Sequence, residues 1–374
     1  VNTVTYSYDF NGNKIREVNS VGGRTDYVYD ERNQPVAVRG YVNVNNFSES
    51  RFVYDGFGRK IRNIDPNGNI TQFGYDLLDR VTTVTDALNN ATRYEYDAIG
   101  RKLGEISPRA VADQNLRNRN GHSTSYIYDG NGRLIKIISA LNKETWNFYD
   151  EDGNLIRSID RQNADGSENT RFSRFEYDSL GRQTRSIDAL GGTLIKTYDA
   201  IGNILTQTDQ MNRTMRFAYD SFNRLTGETD PAGNITRMSY DENGNRTNLT
   251  YADGTGVASV YDASNRLVRT TDVNNAFRVF AYDAIGNKTS ETDKRGFIAR
   301  YSYDLLNRLV SETNPQGAVI TYSYDGNGNR LSESAGNKVK RFTFDALNRM
   351  SEIAHLGNKT ERVSYDSNGN VIQK

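Results

Sequence analysis

The residues with most chemical potential lie in short acidic loops: "DEDGN" from Asp150, "DENGN" from Asp241, "DGNGN" from Asp325 and "DSNGN" from Asp366. Oxygen-bearing side chains at this density suggest a calcium loop, in which alternate residues face the ion. Such a loop needs Gly at its sixth position and a bidentate Glu at its twelfth. Here Gly comes fourth, and the twelfth residue counted from Asp241 is Ala252. The loops therefore read as turns, and no metal or cofactor is expected. The only histidines, His122 and His355, are far apart, and there is no Cys. That composition excludes disulfides and thiolate sites, and it supports no His-based nucleophile. No catalytic residue is assigned.

Each acidic loop is one copy of a longer unit. The hexapeptide "YDAIGN" at residues 198–203 returns at 282–287, and looser copies fill the chain. Aligned on the Tyr-Asp pair there are 17 copies, with Phe344 replacing Tyr once. Asp178, Asp199, Asp220, Asp241 and Asp262 show the constant interval, which only a few longer steps and one shorter step interrupt. Three residues after the Asp stands Gly, Asn or, once, Asp79. These types tolerate a left-handed backbone, so the position predicts a positive-φ turn residue. The Asp before it is placed to accept backbone N–H groups.

The copies read as structural are Tyr8, Asp9 and Gly12; Tyr54, Asp55, Gly58 and Arg59; and Tyr96, Asp97, Gly100 and Arg101. Further along they are Tyr198, Asp199 and Gly202; Tyr282, Asp283 and Gly286; and Tyr324, Asp325 and Gly328. After the turn residue nine copies carry Arg, which is expected to pair with a neighbouring unit's turn Asp or to stack on a Tyr ring. Lining a cavity is the other role open to that Arg row.

The elements that must hold these turns alternate with period two, as in Phe217/Tyr219 and Tyr322/Tyr324. Residues i and i+2 of a strand share a face, so aromatic stripes are expected. A second turn closes each unit, for example "DPNGN" from Asp65 and "DPAGN" from Asp230. Each unit is thus strand, turn, strand, turn, and no helix is expected. The prediction is an all-β fold, a single array of antiparallel β-hairpin repeats over residues 1–374. The period, about 21 residues, is in the range of repeat architectures. Insertions fall near 41–50, 108–121 and 161–170, and both ends cut into a repeat, as in a fragment.

Composition agrees with a thin structure. Only 36% of residues are apolar, 24 are Tyr, and mean hydropathy is -0.76. Stacked Tyr and Phe rings, rather than an aliphatic core, are expected to tie strands together. About 34 strands at ~4.8 Å each give a ribbon of roughly 160 Å, which wound once encloses a circle about 50 Å wide. Lys+Arg and Asp+Glu are both 47, so no nucleic-acid partner is expected, and "RNRNG" at 117–121 reads as a solvated loop. No apolar run is long enough to span a membrane as a helix.

The units "YDGFGRK" from Tyr54, "YDAIGRKL" from Tyr96 and "YDGNGNRL" from Tyr324 resemble the YD or Rhs repeat. That repeat occurs in bacterial Rhs and wall-associated proteins, in insecticidal toxin complexes and in teneurins. The resemblance covers essentially the whole chain and implies a hollow β-shell. In the bacterial proteins it further implies an enclosed C-terminal toxin polypeptide, the remaining shell segments as partners, and a secreted or cell-surface location. The family's "DPxGL" cleavage region has no counterpart here, since "DPNG" and "DPAG" sit in mid-repeat turns. Two functions follow as expectations: a non-enzymatic shell segment, or an extracellular adhesion or carbohydrate-binding module that meets glycans or a cell-surface partner.

Overall fold

The computed structural model describes residues 3–112, 123–161, 170–357 and 359–373. Among these it contains 35 strands, 33 of them in one antiparallel sheet. By contacts the chain divides into two units. One comprises Val1–Arg101, Glu105–Arg117 and Val279–Lys374; the other comprises Lys102–Gly104 and Asn118–Arg278.

One hairpin shows how the sequence builds all of them. Strand Thr193–Tyr198 pairs with Ile204–Thr208 through Ile195↔Thr208, Lys196↔Gln207 and Thr197↔Thr206. Register then shifts, so that Tyr198 faces Ile204. The shift is a bulge, the usual companion of a short hairpin loop that ends in a left-handed residue. Gly202 is that residue, at φ 101°. All 17 positions three after the Asp have positive φ, from Asn348 and Asp79 at 60° to Gly286 at 105°. The second turns use the same device, with Gly68 at 87° and Gly233 at 89°. Both edges of the ribbon are thus closed by the same turn.

The sheet has almost no core. Among the described residues the buried apolar side chains are Ala37, Ile106, Ala110 and Ile159, and none is large and fully buried. The chain exposes 23364 Å², whereas a compact protein of 42.2 kDa is expected to expose about 15,000 Å². The excess accords with strands that pack no thick apolar interior among the described residues.

One expectation needs correction. A one-turn helix, Pro108–Ala112, opens the second insertion where none was expected. Proline at the first helical position loses no hydrogen bond and arrives with its φ preset. The Ser107 carbonyl accepts the N–H groups of Ala110 and Val111 at 3.0 Å, and Ala110 is wholly buried. The first insertion lengthens a hairpin, with Tyr41 paired to Phe47. Residues 113–121 and 162–169 of the other insertions, with "RNRNG" and His122, lie outside the described residues.

The first unit also closes on itself. Its late Tyr-Asp turns, at Asp304 and Asp325, meet early second turns near Asn19 and Asp65. Asn67 Nδ2 donates to Asp325 Oδ2 at 2.9 Å, Gly326 N–H to Asn67 Oδ1 at 3.0 Å, and Asn327 Nδ2 to Asp65 Oδ2 at 2.6 Å. The Ser48 hydroxyl donates to the Gly326 carbonyl. A side chain on Gly326 would strike Pro66 at 2.9 Å, and one on Gly40 would strike Leu306 at 2.9 Å.

Candidate functional site

The candidate site is the repeating turn. In each copy one carboxylate is shared among several donors. Asp199 Oδ1 accepts the N–H groups of Ile201 at 3.0 Å and Asn203 at 2.8 Å, and Oδ2 accepts Asn203 Nδ2 at 2.8 Å. Asp9, Asp283 and Asp325 repeat this with Asn13, Asn287 and Asn329. Asp55 and Asp97 receive Arg59 Nε at 2.8 Å and Arg101 Nε at 2.6 Å instead. The oxygens that suggested calcium ligation are therefore spent on the chain's own N–H groups. Among the described residues there is no cluster of three or more His, Cys, Asp or Glu able to hold a metal. His355 sits in a second turn, its Nε2 3.1 Å from Glu361 Oε1.

Donors of this kind favour the charged carboxylate. The Arg80 guanidinium, working against partial burial and joined by the Arg80 and Leu78 N–H groups, lowers the pKa of Asp76. At Asp241 the Asn245 carboxamide leads, again opposed by burial.

Most of these Tyr residues bridge to the repeat before them. In fourteen copies the Tyr hydroxyl donates to a main-chain carbonyl of the preceding unit, at 2.6 to 3.2 Å. Tyr54 reaches Pro35, Tyr96 reaches Val81, Tyr198 reaches Gln183 and Tyr324 reaches Leu309. Tyr8 belongs to the first copy, and its ring is exposed.

The aromatic ladder differs from expectation. Tyr41 and Phe47 do form a ring pair, with centroids 5.5 Å apart. Many rings instead take cations. Arg59 lies over Tyr75, Arg182 over Tyr198 and Arg308 over Tyr324, at 4.9 to 5.0 Å. Lys14 sits between Tyr6 and Tyr27, Lys60 between Phe52 and Phe73, and Lys288 between Phe280 and Tyr301. Strand spacing explains the substitution: a cation fits between rings in successive hairpins and is attracted to both faces. The sequence reading overlooks this lysine, although it stands at the same offset from the turn Asp in all three units.

The Arg row takes the Tyr rings expected of it, but its ionic partner differs. Arg59, Arg80, Arg133, Arg182, Arg224 and Arg308 each pair with the Asp of their own turn. A second arm then donates to the main-chain carbonyl of the next unit's Asp, as from Arg182 to Asp199 at 2.7 Å. Where the residue is Asn, the shorter side chain reaches the left-handed Asn of the next unit. Asn13 meets Asn33 at 2.7 Å, Asn203 meets Asn223 at 3.3 Å, Asn245 meets Asn265 at 2.8 Å and Asn329 meets Asn348 at 2.7 Å. From Arg182 onward the two types alternate without a break, giving a superrepeat of two units. That alternation is the available signal, and it is lost when units are aligned only by consensus.

These turns, clamps and thin sheets define a repeat wall whose polar groups hold the repeats to one another. The family model for the teneurin YD-shell matches residues 165–374, and the RHS repeat model matches 54–91 and 75–112. The chain belongs to the YD-shell family. In fold it is similar to the crystal structure of TcdB2–TccC3, with a TM-score of 0.81 at 18% identity over 99% of this chain and 23% of that one. A structure of the Photorhabdus luminescens Tc holotoxin pore gives 0.81 at 17% identity, over 100% of this chain and 22% of that one. TcdB2–TccC3 without its hypervariable C-terminal region gives 0.81 at 18%, over 100% and 22%. This chain thus spans less than a quarter of the length of these structures. A comparison with curated protein sequences returns no match. Among the described residues no helix is long and apolar enough to cross a membrane.

Proposed function

We propose that this chain is a non-enzymatic wall segment of a bacterial β-shell that encloses and helps deliver a C-terminal toxin polypeptide of its parent protein, and that the parent is secreted or displayed at the cell surface. The observation that carries this reading is how the polar side chains are used. Asp, Arg, Asn and Tyr recur along the array, yet they are committed to turn closure and to the neighbouring repeat. A residue set repeated in this way builds a surface rather than a single reaction centre. The near absence of buried apolar side chains supports a wall rather than a solid body. The similar TcdB2–TccC3 structures, one described by the removal of a hypervariable C-terminal region, support a parent whose tail varies while its shell does not.

Limited proteolysis of the parent protein tests this. An enclosed tail survives a protease that degrades the same tail expressed alone, and it becomes sensitive once the shell is unfolded. Equal digestion of the tail in both settings would refute enclosure.

A further inference from the structure

The first unit carries the same turn tip twice, once covered and once bare. "YDLLNR" at 303–308 and "YDLLDR" at 75–80 differ at one residue. In the first, Leu305 and Leu306 are partly buried against the second-turn edge of the early repeats. A side chain on Gly23 would meet the Asn19 carboxamide at 2.5 Å and the Leu305 carbonyl at 2.8 Å, and one on Gly40 would meet Leu306 at 2.9 Å. In the second, Leu77 is 101% and Leu78 64% exposed. The tips beside it are equally bare, with Phe57 at 87% and Ile99 at 77%. Gly56 repeats the pattern: its counterpart Gly326 is packed on Pro66 and Asn67, whereas a side chain on Gly56 would meet nothing within 4 Å.

Three successive hairpin tips, Gly56-Phe57, Leu77-Leu78 and Ala98-Ile99, therefore form an apolar row along one edge of the sheet. Adjacent tips are two strands apart, about 10 Å. A contiguous exposed apolar row of this kind marks an interaction surface. What fits it is shown by the seam already inside the unit: a second-turn edge, with glycine notches for Leu and an Asp-Pro-Asn turn for the adjoining tip. The seam's own second-turn edge at 19–67 is occupied, but each chain carries another of the same make: Gly192 follows Asp188 as Gly23 follows Asn19, Pro231 follows Asp230 as Pro66 follows Asp65, and Leu190 beside them is bare.

We infer that the Phe57, Leu78 and Ile99 tips dock the second-turn edge of a second copy of this chain, in the manner in which Leu306 and Gly326 dock residues 19–67. The contact is head-to-tail, so it propagates instead of closing as a dimer. This rests on the seam within the first unit and does not depend on what the shell encloses.

Sedimentation velocity on the full chain over a concentration series tests the inference, comparing it with the variant F57N/L78N/I99N. Asn already occupies this turn position at Asn131, Asn243 and Asn327, so the variant is expected to keep its circular dichroism and melting temperature. The expected result is concentration-dependent association by the natural chain, weakened roughly ten-fold or more in the variant. A photo-crosslinker at residue 78, in mixed labelled and unlabelled chains, is expected to mark second-turn residues such as Leu190 or Pro231 of the other copy. A natural chain that stays monomeric, a variant that associates equally well, or crosslinks confined to sheet faces would each overturn the inference.

Discussion

Asn67 and Asp325 are 258 residues apart in the chain, yet the Asn67 amide donates to the Asp325 carboxylate at 2.9 Å. The Gly326 N–H returns a hydrogen bond to the Asn67 carbonyl oxygen at 3.0 Å. One carboxamide thus ties a late turn to an early one from both sides.

Asn67→Ala removes both bonds and leaves the Gly326 N–H without this acceptor. A loss of about 1–3 kcal/mol is expected. Hydrogen exchange should quicken at residues 325–328 while the hairpins near Asp199 keep their protection. Uniform quickening throughout the chain would mean that the seam is not a local clasp.

The alternation of Arg and Asn predicts pairwise coupling between neighbouring units. In a double-mutant cycle, Asn203→Ala and Asn223→Gly should interact by ~0.5–1 kcal/mol, because each removes the same bond. Asn203→Ala combined with Asn265→Gly should be additive. Denaturant midpoints of the four variants in each cycle measure the difference.

Tyr198→Phe deletes the hydroxyl that donates to the Gln183 carbonyl at 2.6 Å while keeping the ring under Arg182. A loss of about 0.5–1.5 kcal/mol is expected, with the fold intact. Phe344 already stands at this position in one natural copy. Tyr198→Leu removes the cation's ring as well and should cost more, as read from chemical denaturation.

Acid should unfold the chain in a definite window. Asp76, Asp129, Asp209 and Asp262 have pKa values lowered chiefly by the Arg of their own turn, and Asp9, Asp150, Asp230, Asp241 and Asp366 by the Asn. A carboxyl with a lowered folded pKa stabilises above its unfolded value, near ~3.9, and loses that contribution as pH falls through the folded value. Melting temperature should therefore be flat from about pH 5 to 8 and fall steeply below about pH 4. A melting temperature that stays level throughout the acid range would contradict the carboxylate clamps.

How much was legible in the sequence follows from the range of each interaction. Asp199 and Gly202 act within a single turn, so residue type at a fixed offset reveals them. Tyr198 falls on its strand as the alternation predicts, but its partner, the Gln183 carbonyl, has no residue type to read. Arg182 is expected from its type to stack on a Tyr ring, as it does on Tyr198, or to seek another unit's Asp. It takes its own because the turn brings guanidinium and carboxylate together, leaving the second arm for the neighbour's main chain. Lys14 between two rings needs the strand spacing to be seen. The seam at Asn67 joins turns 258 residues apart in the chain, and no local pattern encodes that.

The central claim is a wall one sheet thick around an interior large enough for a polypeptide. Small-angle X-ray scattering of this chain, extrapolated to zero concentration, tests it most directly. A compact protein of 374 residues has a radius of gyration of about 21 Å. The account predicts a clearly larger value, with a pair-distance distribution weighted toward long distances, as for mass spread along a curved wall. A radius at the compact limit, with a symmetric distribution, would contradict it.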